Sequence, residues 1–251
     1  VKPMQAVVTN ILPTHLENFI NTKNIAKEKS DIFNVKYNPN IKMVILPYDN
    51  VDEKKLLKIA IKNKIKDIFI FGNNQESTLR IDNIENLDHQ LSKIKLYYDK
   101  KQYEFTINNN QLYRINNVLI CMLIFIYNNI NIDYFTSICK NIPLIEGRGL
   151  QSKIIINNKK VKIIDESYNA SPQTMKNSID YFEKIKTTNQ QKKYLILGDM
   201  CELGVNEISF HIELLIYLSK KNLKNVIICG DLMKIALEKT LNKNILYILN
   251  S

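Results

Sequence analysis

Twice in the second half of the chain, a short apolar run empties into a polar loop and a helix begins at once. Val161 to Ile164 runs into Asp165-Glu166-Ser167-Tyr168-Asn169-Ala170-Ser171-Pro172, and Tyr194 to Leu197 runs into Gly198-Asp199-Met200-Cys201-Glu202-Leu203-Gly204. The first run reads as a buried strand, Ser171 as a helix N-cap and Pro172 as a first-turn residue, so the loop between them is tightly held. Strand, loop and helix in succession are the unit of an α/β fold. In such folds ligands bind beyond the carboxyl ends of the strands and against helix N-termini. Both loops are therefore expected on one sheet edge, where they make a site from a carboxylate pair, a phenol and a carboxamide.

Strands at 194–197, 226–229 and 245–249 alternate with helices at 208–220 and 232–241, the pattern of a doubly wound parallel sheet. A hairpin precedes them, Lys153–Ile156 turning at Asn157-Asn158, and Met175, Ile179, Phe182 and Ile185 give the next helix an apolar face. The first half also alternates. Ala6–Thr9 reads as a strand, Thr22–Phe33 as a helix carrying Ile25, Lys29, Ile32 and Phe33, and Lys42–Leu46 as a strand. Asp52 is expected to cap a helix through Ile61, and Asp67–Phe71 is a strand ending at Gly72. Ile94–Tyr98 and Tyr103–Ile107 read as hairpin strands, Asn108–Asn110 as a turn, Gln111–Tyr127 as a buried helix and Asp133–Lys140 as a short one. Gly147-Arg148-Gly149 reads as a flexible hinge closing a first domain, 1–149, before a second, 150–251.

Composition excludes little. A formal charge of +10 would suit nucleic acid, but the lysines are spread along helix faces such as Lys54-Lys55-Lys58-Lys62, without aromatic interleaving, so no nucleic-acid partner is expected. The run Val118–Tyr127 is too short for a bilayer, which takes about 20 residues, so no membrane insertion is expected. Cys121, Cys139, Cys201 and Cys229 lack metal-ligand spacing and read as free thiols of a reducing cytoplasm. Arginine occurs only at Arg80, Arg114 and Arg148. In a chain that otherwise uses lysine, Arg148 reads as a bidentate phosphate ligand rather than a linker residue.

The two polar loops, D-E-S-Y-N-A-S-P and G-D-M-C-E-L-G, with His211 following, resemble the C-terminal domain of the Mur ligases, whose pattern is close to D-D-S-Y-N-A-N-P and G-D-M-x-E-L-G. Ser171 stands where that family usually has Asn. Thr9, Asn10, Ile11, His15, Leu16 and Phe19, then Ile25, Ala26 and Lys29, resemble its central ATP-binding domain. The fold implied is α/β, an incomplete Mur-ligase central domain followed by a Rossmann-like C-terminal domain. Two departures accompany the match: Pro47 replaces a usual Asn, and Arg114 falls on the Asn that contacts adenine, with Asn117 standing for the second Asn and Asn116 available by a shifted register.

The resemblance implies a cytoplasmic, ATP-dependent peptide ligase of peptidoglycan synthesis that passes through an acyl phosphate. Its substrates are UDP-N-acetylmuramoyl-tripeptide and D-alanyl-D-alanine, its cofactors ATP and Mg²⁺. His15 and a carbamylated Lys29 are implied as metal ligands, with Lys27 the competing lysine. Arg148 is implied for the phosphates, and Asn117, Asp165, Tyr168 and Asn169 for the nucleotide or the incoming amine. Asp199 and Glu202 read equally as loop-orienting or as helix-cap residues, and His211 as structural. The sequence holds no G-x-x-x-x-G-K-[ST]. A missing N-terminal and phosphate-loop segment is therefore expected, leaving this chain alone inactive. A non-catalytic remnant or nucleotide-binding module is the alternative.

Overall fold

The computed structural model describes residues 2–12, 19, 21–87, 91–108, 114–143, 145–188, 191–240 and 245–247, the last three for their backbone. The chain divides into two compact units, one of residues up to Leu12 with Asn21–Pro143, the other following Pro143.

The first unit is built on a six-stranded sheet in the order β1 (Gln5–Val7), β2 (Met43–Pro47), β3 (Asp67–Gly72), β4 (Leu79–Asn86), β5 (Leu91–Tyr98) and β6 (Lys101–Asn108). The pairs from β1 to β4 are parallel, and β4, β5 and β6 form an antiparallel meander. All five residues of β2 are buried, as its unbroken Met-Val-Ile-Leu run requires of an inner parallel strand. β5 instead alternates, burying Ser92, Ile94 and Leu96. The helices are α1 (Thr22–Ser30), α2 (Val51–Lys62), α3 (Ile115–Tyr127) and α4 (Ile132–Ile138). Leu119, Met122 and Leu123 of α3 complete the core over Met43, Ile45, Phe71, Ile94 and Leu96.

One expectation changes here. Asn50, not Asp52, caps α2, because its side chain accepts from Asp52 and Glu53 while Glu53 reaches back in a capping box. The hairpin turns at Asp99-Lys100, both at positive φ, between β5 and β6. Asn109 to Tyr113, on which the expected turn and helix start largely fall, lie outside the described residues.

The second unit has a parallel sheet in the order β11 (Ile245–Tyr247), β10 (Val226–Ile228), β9 (Leu195–Leu197), with helices α5 (Pro172–Lys184), α6 (Glu207–Ser219) and α7 (Asp231–Thr240). Ile179, Leu197, Met200, Leu214, Leu218, Ile228 and Met233 form its core. The hairpin is present as β7 (Leu150–Ile156) and β8 (Lys159–Asp165). It is a separate two-stranded ribbon, and Ile163 remains 38% exposed. The expected burial of Val161–Ile164 therefore fails: Lys159, Lys160 and Lys162 favour water, and β7 supplies the backbone pairing. The two polar loops issue from different sheets, not from one sheet edge.

Candidate functional site

The loop after β8 folds back on the Gly147-Arg148-Gly149 stretch. Asp165 does the holding. Its Oδ2 accepts the Gly147 N–H at 3.1 Å, its Oδ1 the Ser167 N–H at 3.0 Å, and its carbonyl the Gly149 N–H at 2.7 Å. The Tyr168 N–H donates to the Gly147 carbonyl at 3.1 Å. Gly147 has φ +68, and a Cβ there would lie 2.9 Å from the Tyr168 Cβ, so only glycine fits. The stretch is a braced turn of the second unit rather than a flexible hinge closing the first. Arg148 is exposed between two buried glycines, its guanidinium 4.1 Å from the centroid of the Tyr168 ring. Hydrogen bonds from Ser167, and then from Gly147, hold the Asp165 carboxyl below its ordinary pKa.

Asn169 is exposed, and its Oδ1 accepts the Ala170 N–H at 2.8 Å. Ser171 caps α5 in a reciprocal pair with Thr174, whose Oγ1 accepts the Ser171 N–H at 2.9 Å. The departure at Ser171 thus sits in a helix cap.

The G-D-M-C-E-L-G loop is braced by α6 and α7. Asp199 accepts the N–H groups of Leu232 at 3.2 Å and Met233 at 2.8 Å, at the start of α7. These bonds satisfy the first turn of α7 and tie it to this loop. His211 is fully buried, with Nε2 accepting the Met200 N–H at 2.9 Å and Nδ1 2.7 Å from the Glu207 carbonyl. A carbonyl can only accept, so the proton sits on Nδ1. His211 is structural. Glu202 lies at φ +62 in the loop's turn.

In the first unit, α1 buries Ile25 and Ala26 and leaves Lys27 exposed, which directs Lys29 toward the segment after β1. The Lys29 amine donates to the Asn10 carbonyl at 3.0 Å, and burial pushes its pKa down. It borders a cleft of about 290 Å³ lined by Val7, Val8, Thr9, Glu28, Lys29 and Ile32. His15 lies outside the described residues. Among the described residues no three His, Cys, Asp or Glu side chains gather as a metal site. A lysine amine is no ligand for magnesium, but Lys29 is partly desolvated toward its neutral form, the form that adds carbon dioxide to give two anionic oxygens. With Glu28 and Thr9 in the same cleft, a carbamylated Lys29 would add the hard oxygen donors that Mg²⁺ prefers. Asn117 is exposed in the first turn of α3, after the half-buried Asn116 and three residues past Arg114 at the cap.

Sequence reasoning missed Glu53. It is buried and accepts the N–H groups of Asp49 at 3.0 Å, Asn50 at 3.1 Å and Ile11 at 3.3 Å, tying the loop after β2 to the segment after β1. The available signal was Asn50 three residues before Glu53, a capping box.

The profile of the Mur ligase middle domain matches residues 1–125. The chain belongs to the Mur ligase family. Over 243 residues, 97% of this chain, it is 29% identical to the UDP-N-acetylmuramoyl-tripeptide–D-alanyl-D-alanine ligase of Rickettsia prowazekii (strain Madrid E), covering 52% of that protein. The ligase of the same name from Bacillus subtilis (strain 168) is 26% identical over 241 residues, 92% of this chain and 47% of its own. This Mur ligase chain thus spans about half the length of the curated relatives it matches. Its fold is that of MurF from Acinetobacter baumannii, at a TM-score of 0.80 and 19% identity over 100% of this chain and 51% of the other. MurF from Thermotoga maritima, solved in complex with ADP, gives 0.78 at 20% identity over 100% and 53%. Among the described residues of this Mur ligase chain, no helix is long and apolar enough to cross a membrane.

Proposed function

We propose that this chain is the later part of a cytoplasmic, ATP-dependent ligase that adds D-alanyl-D-alanine to UDP-N-acetylmuramoyl-tripeptide in peptidoglycan precursor synthesis. The observation that carries the reading is the match over 97% of the chain to a ligase of that name. In this reading the γ-phosphoryl group of ATP passes to the tripeptide carboxylate, and the D-alanyl-D-alanine amine attacks the acyl phosphate and expels phosphate. Arg148 answers the phosphate charge, while Asn117, Asp165, Tyr168 and Asn169 serve the nucleotide or the incoming amine. Lys29 in its neutral form would add carbon dioxide, releasing one proton and leaving a carbamate that with His15 would hold Mg²⁺. Held there, Mg²⁺ would supply positive charge to offset that of the phosphates.

The 251 residues contain no phosphate-binding loop, so the chain alone is inactive in this reading. The test is ligation with and without a companion segment carrying the sugar-nucleotide domain and phosphate loop of the Rickettsia prowazekii relative. ATP-dependent product only with the companion supports the reading. No product in either arm, with the companion folded and binding ATP, favours the non-catalytic module.

A further inference from the structure

We infer that Tyr168 and Asp165 are positioning residues for Arg148: Asp165 ties both flanking glycines to its loop, and the Tyr168 ring carries the guanidinium in one orientation. The inference rests on the assignment of Arg148 to phosphate and says how the second loop serves the nucleotide, through the arginine. Three hydrogen bonds from backbone N–H groups close the two segments on each other, from Gly147 to the Asp165 carboxylate, from Gly149 to its carbonyl, and from Tyr168 to Gly147, while the Ser167 N–H holds the carboxylate from within its own loop. Gly147 is pressed against Tyr168 so closely that a Cβ would reach 2.9 Å. The backbone on either side of Arg148 is therefore fixed although its side chain is exposed.

Tyr168 is 67% exposed, and the Arg148 guanidinium lies 4.1 Å from the centroid of its ring. Stacking engages the flat face of the guanidinium. Its N–H donors lie in the plane, the edge that a phosphate takes bidentately. A free arginine side chain must give up many rotamers to reach that geometry, and the ring removes much of the cost before a ligand arrives.

The experiment uses the full chain and inorganic pyrophosphate as probe. With arginine only at positions 80, 114 and 148, the Arg148 Nε–H resonance is assigned by R148K. The expected result is an upfield, ring-shifted Arg148 signal that Y168L returns to the ordinary position and Y168F preserves. Y168L also weakens pyrophosphate binding about two- to fivefold, the effect of an exposed cation–π contact, a larger loss than Y168F causes, and Y168L adds nothing in the R148K background. Because Tyr168 lies outside the core, circular dichroism stays that of the parent. A Y168L effect of equal size in the R148K background overturns the inference, as does an unshifted Arg148 signal, which leaves the phosphate assignment standing. A ring-shifted signal with equal pyrophosphate affinity in R148K and the parent overturns the phosphate assignment itself, and the inference with it.

Discussion

Two loops in different units are closed by the same device. In the first unit Asp49, two residues past β2, accepts the N–H groups of Asn73 at 2.7 Å and Asn74 at 3.3 Å, just beyond Gly72. In the second, Asp199, two residues past β9, accepts those of Leu232 and Met233, just beyond Gly230. Each glycine has positive φ, +143 at Gly72 and +106 at Gly230, and a Cβ at either would lie 2.3 Å from the carboxylate. The segments beyond the two glycines differ. After Gly72 the chain turns toward β4, whereas after Gly230 it enters α7, so Asp199 also faces the positive end of a helix. The supports differ too, buried Glu53 beneath the first loop and buried His211 beneath the second. An aspartate just past a parallel strand is thus a brace between neighbouring loops here, whatever motif surrounds it. Asp165, the last residue of the antiparallel β8, also braces two segments with its carboxylate, and the turn it holds displays the exposed Arg148.

The sharpest way to break the comparison is to fill the glycines. Gly72→Ala and Gly230→Ala each add a Cβ to a strained backbone against a carboxylate, and each is expected to cost about 3 kcal/mol in urea unfolding. Equal losses establish one device used twice. A loss at only one confines it to that unit.

Next in size are the supports. His211→Ala orphans the Met200 N–H and opens a cavity, and Glu53→Ala orphans the N–H groups of Asp49, Asn50 and Ile11, with a cost of roughly 2 to 3 kcal/mol each. Glu53→Gln keeps one accepting oxygen and should lose less. Thermal unfolding ranks the three, and a harmless Glu53→Ala would remove the support from the first loop. Smaller again is Asp199→Asn, which keeps one acceptor but loses the charge at the start of α7, for about 1 kcal/mol. Asp49→Asn, without a helix to face, should cost less, and the reverse order in urea titrations would sink the dipole argument.

The legible parts of this molecule were those fixed by neighbours in sequence. Ser171-Pro172 announced α5 because the cap and first turn need only adjacent residues, and Asn157-Asn158 announced a hairpin because asparagine tolerates the positive φ both adopt. Asp99-Lys100 makes a comparable turn at φ +47 and +61, yet lysine gives no such signal, and the eight-residue pairing of β5 with β6 imposes it. Asn50 and Asp52 are both good caps, and Glu53 decides between them. Val161–Ile164 looked like an inner strand because a solvent-facing ribbon and a buried strand can share a short apolar run. For the candidate site, partnerships were not readable: nothing local says that Asp165 holds Gly147, eighteen residues away, or that Arg148 lies on Tyr168.

The smallest expected effect is the most telling for the loop that differs. Asp165 is held below the ordinary aspartate pKa, about 3.9, by Ser167 and Gly147. A carboxylate with a lowered folded-state pKa stabilises fully above the unfolded value, and the contribution fades as pH falls through the folded one. The ring-shifted Arg148 signal should therefore be flat from about pH 8 to about pH 5 and begin to move only below the ordinary carboxylate range. Asp165→Asn, which keeps one acceptor of two, should shift that signal at every pH with little change in thermal midpoint, since the loop is exposed. A parent signal that titrated near pH 6 would mean that some group other than Asp165 holds the arginine, and the brace would then be common to all three loops while the display of Arg148 was not its consequence.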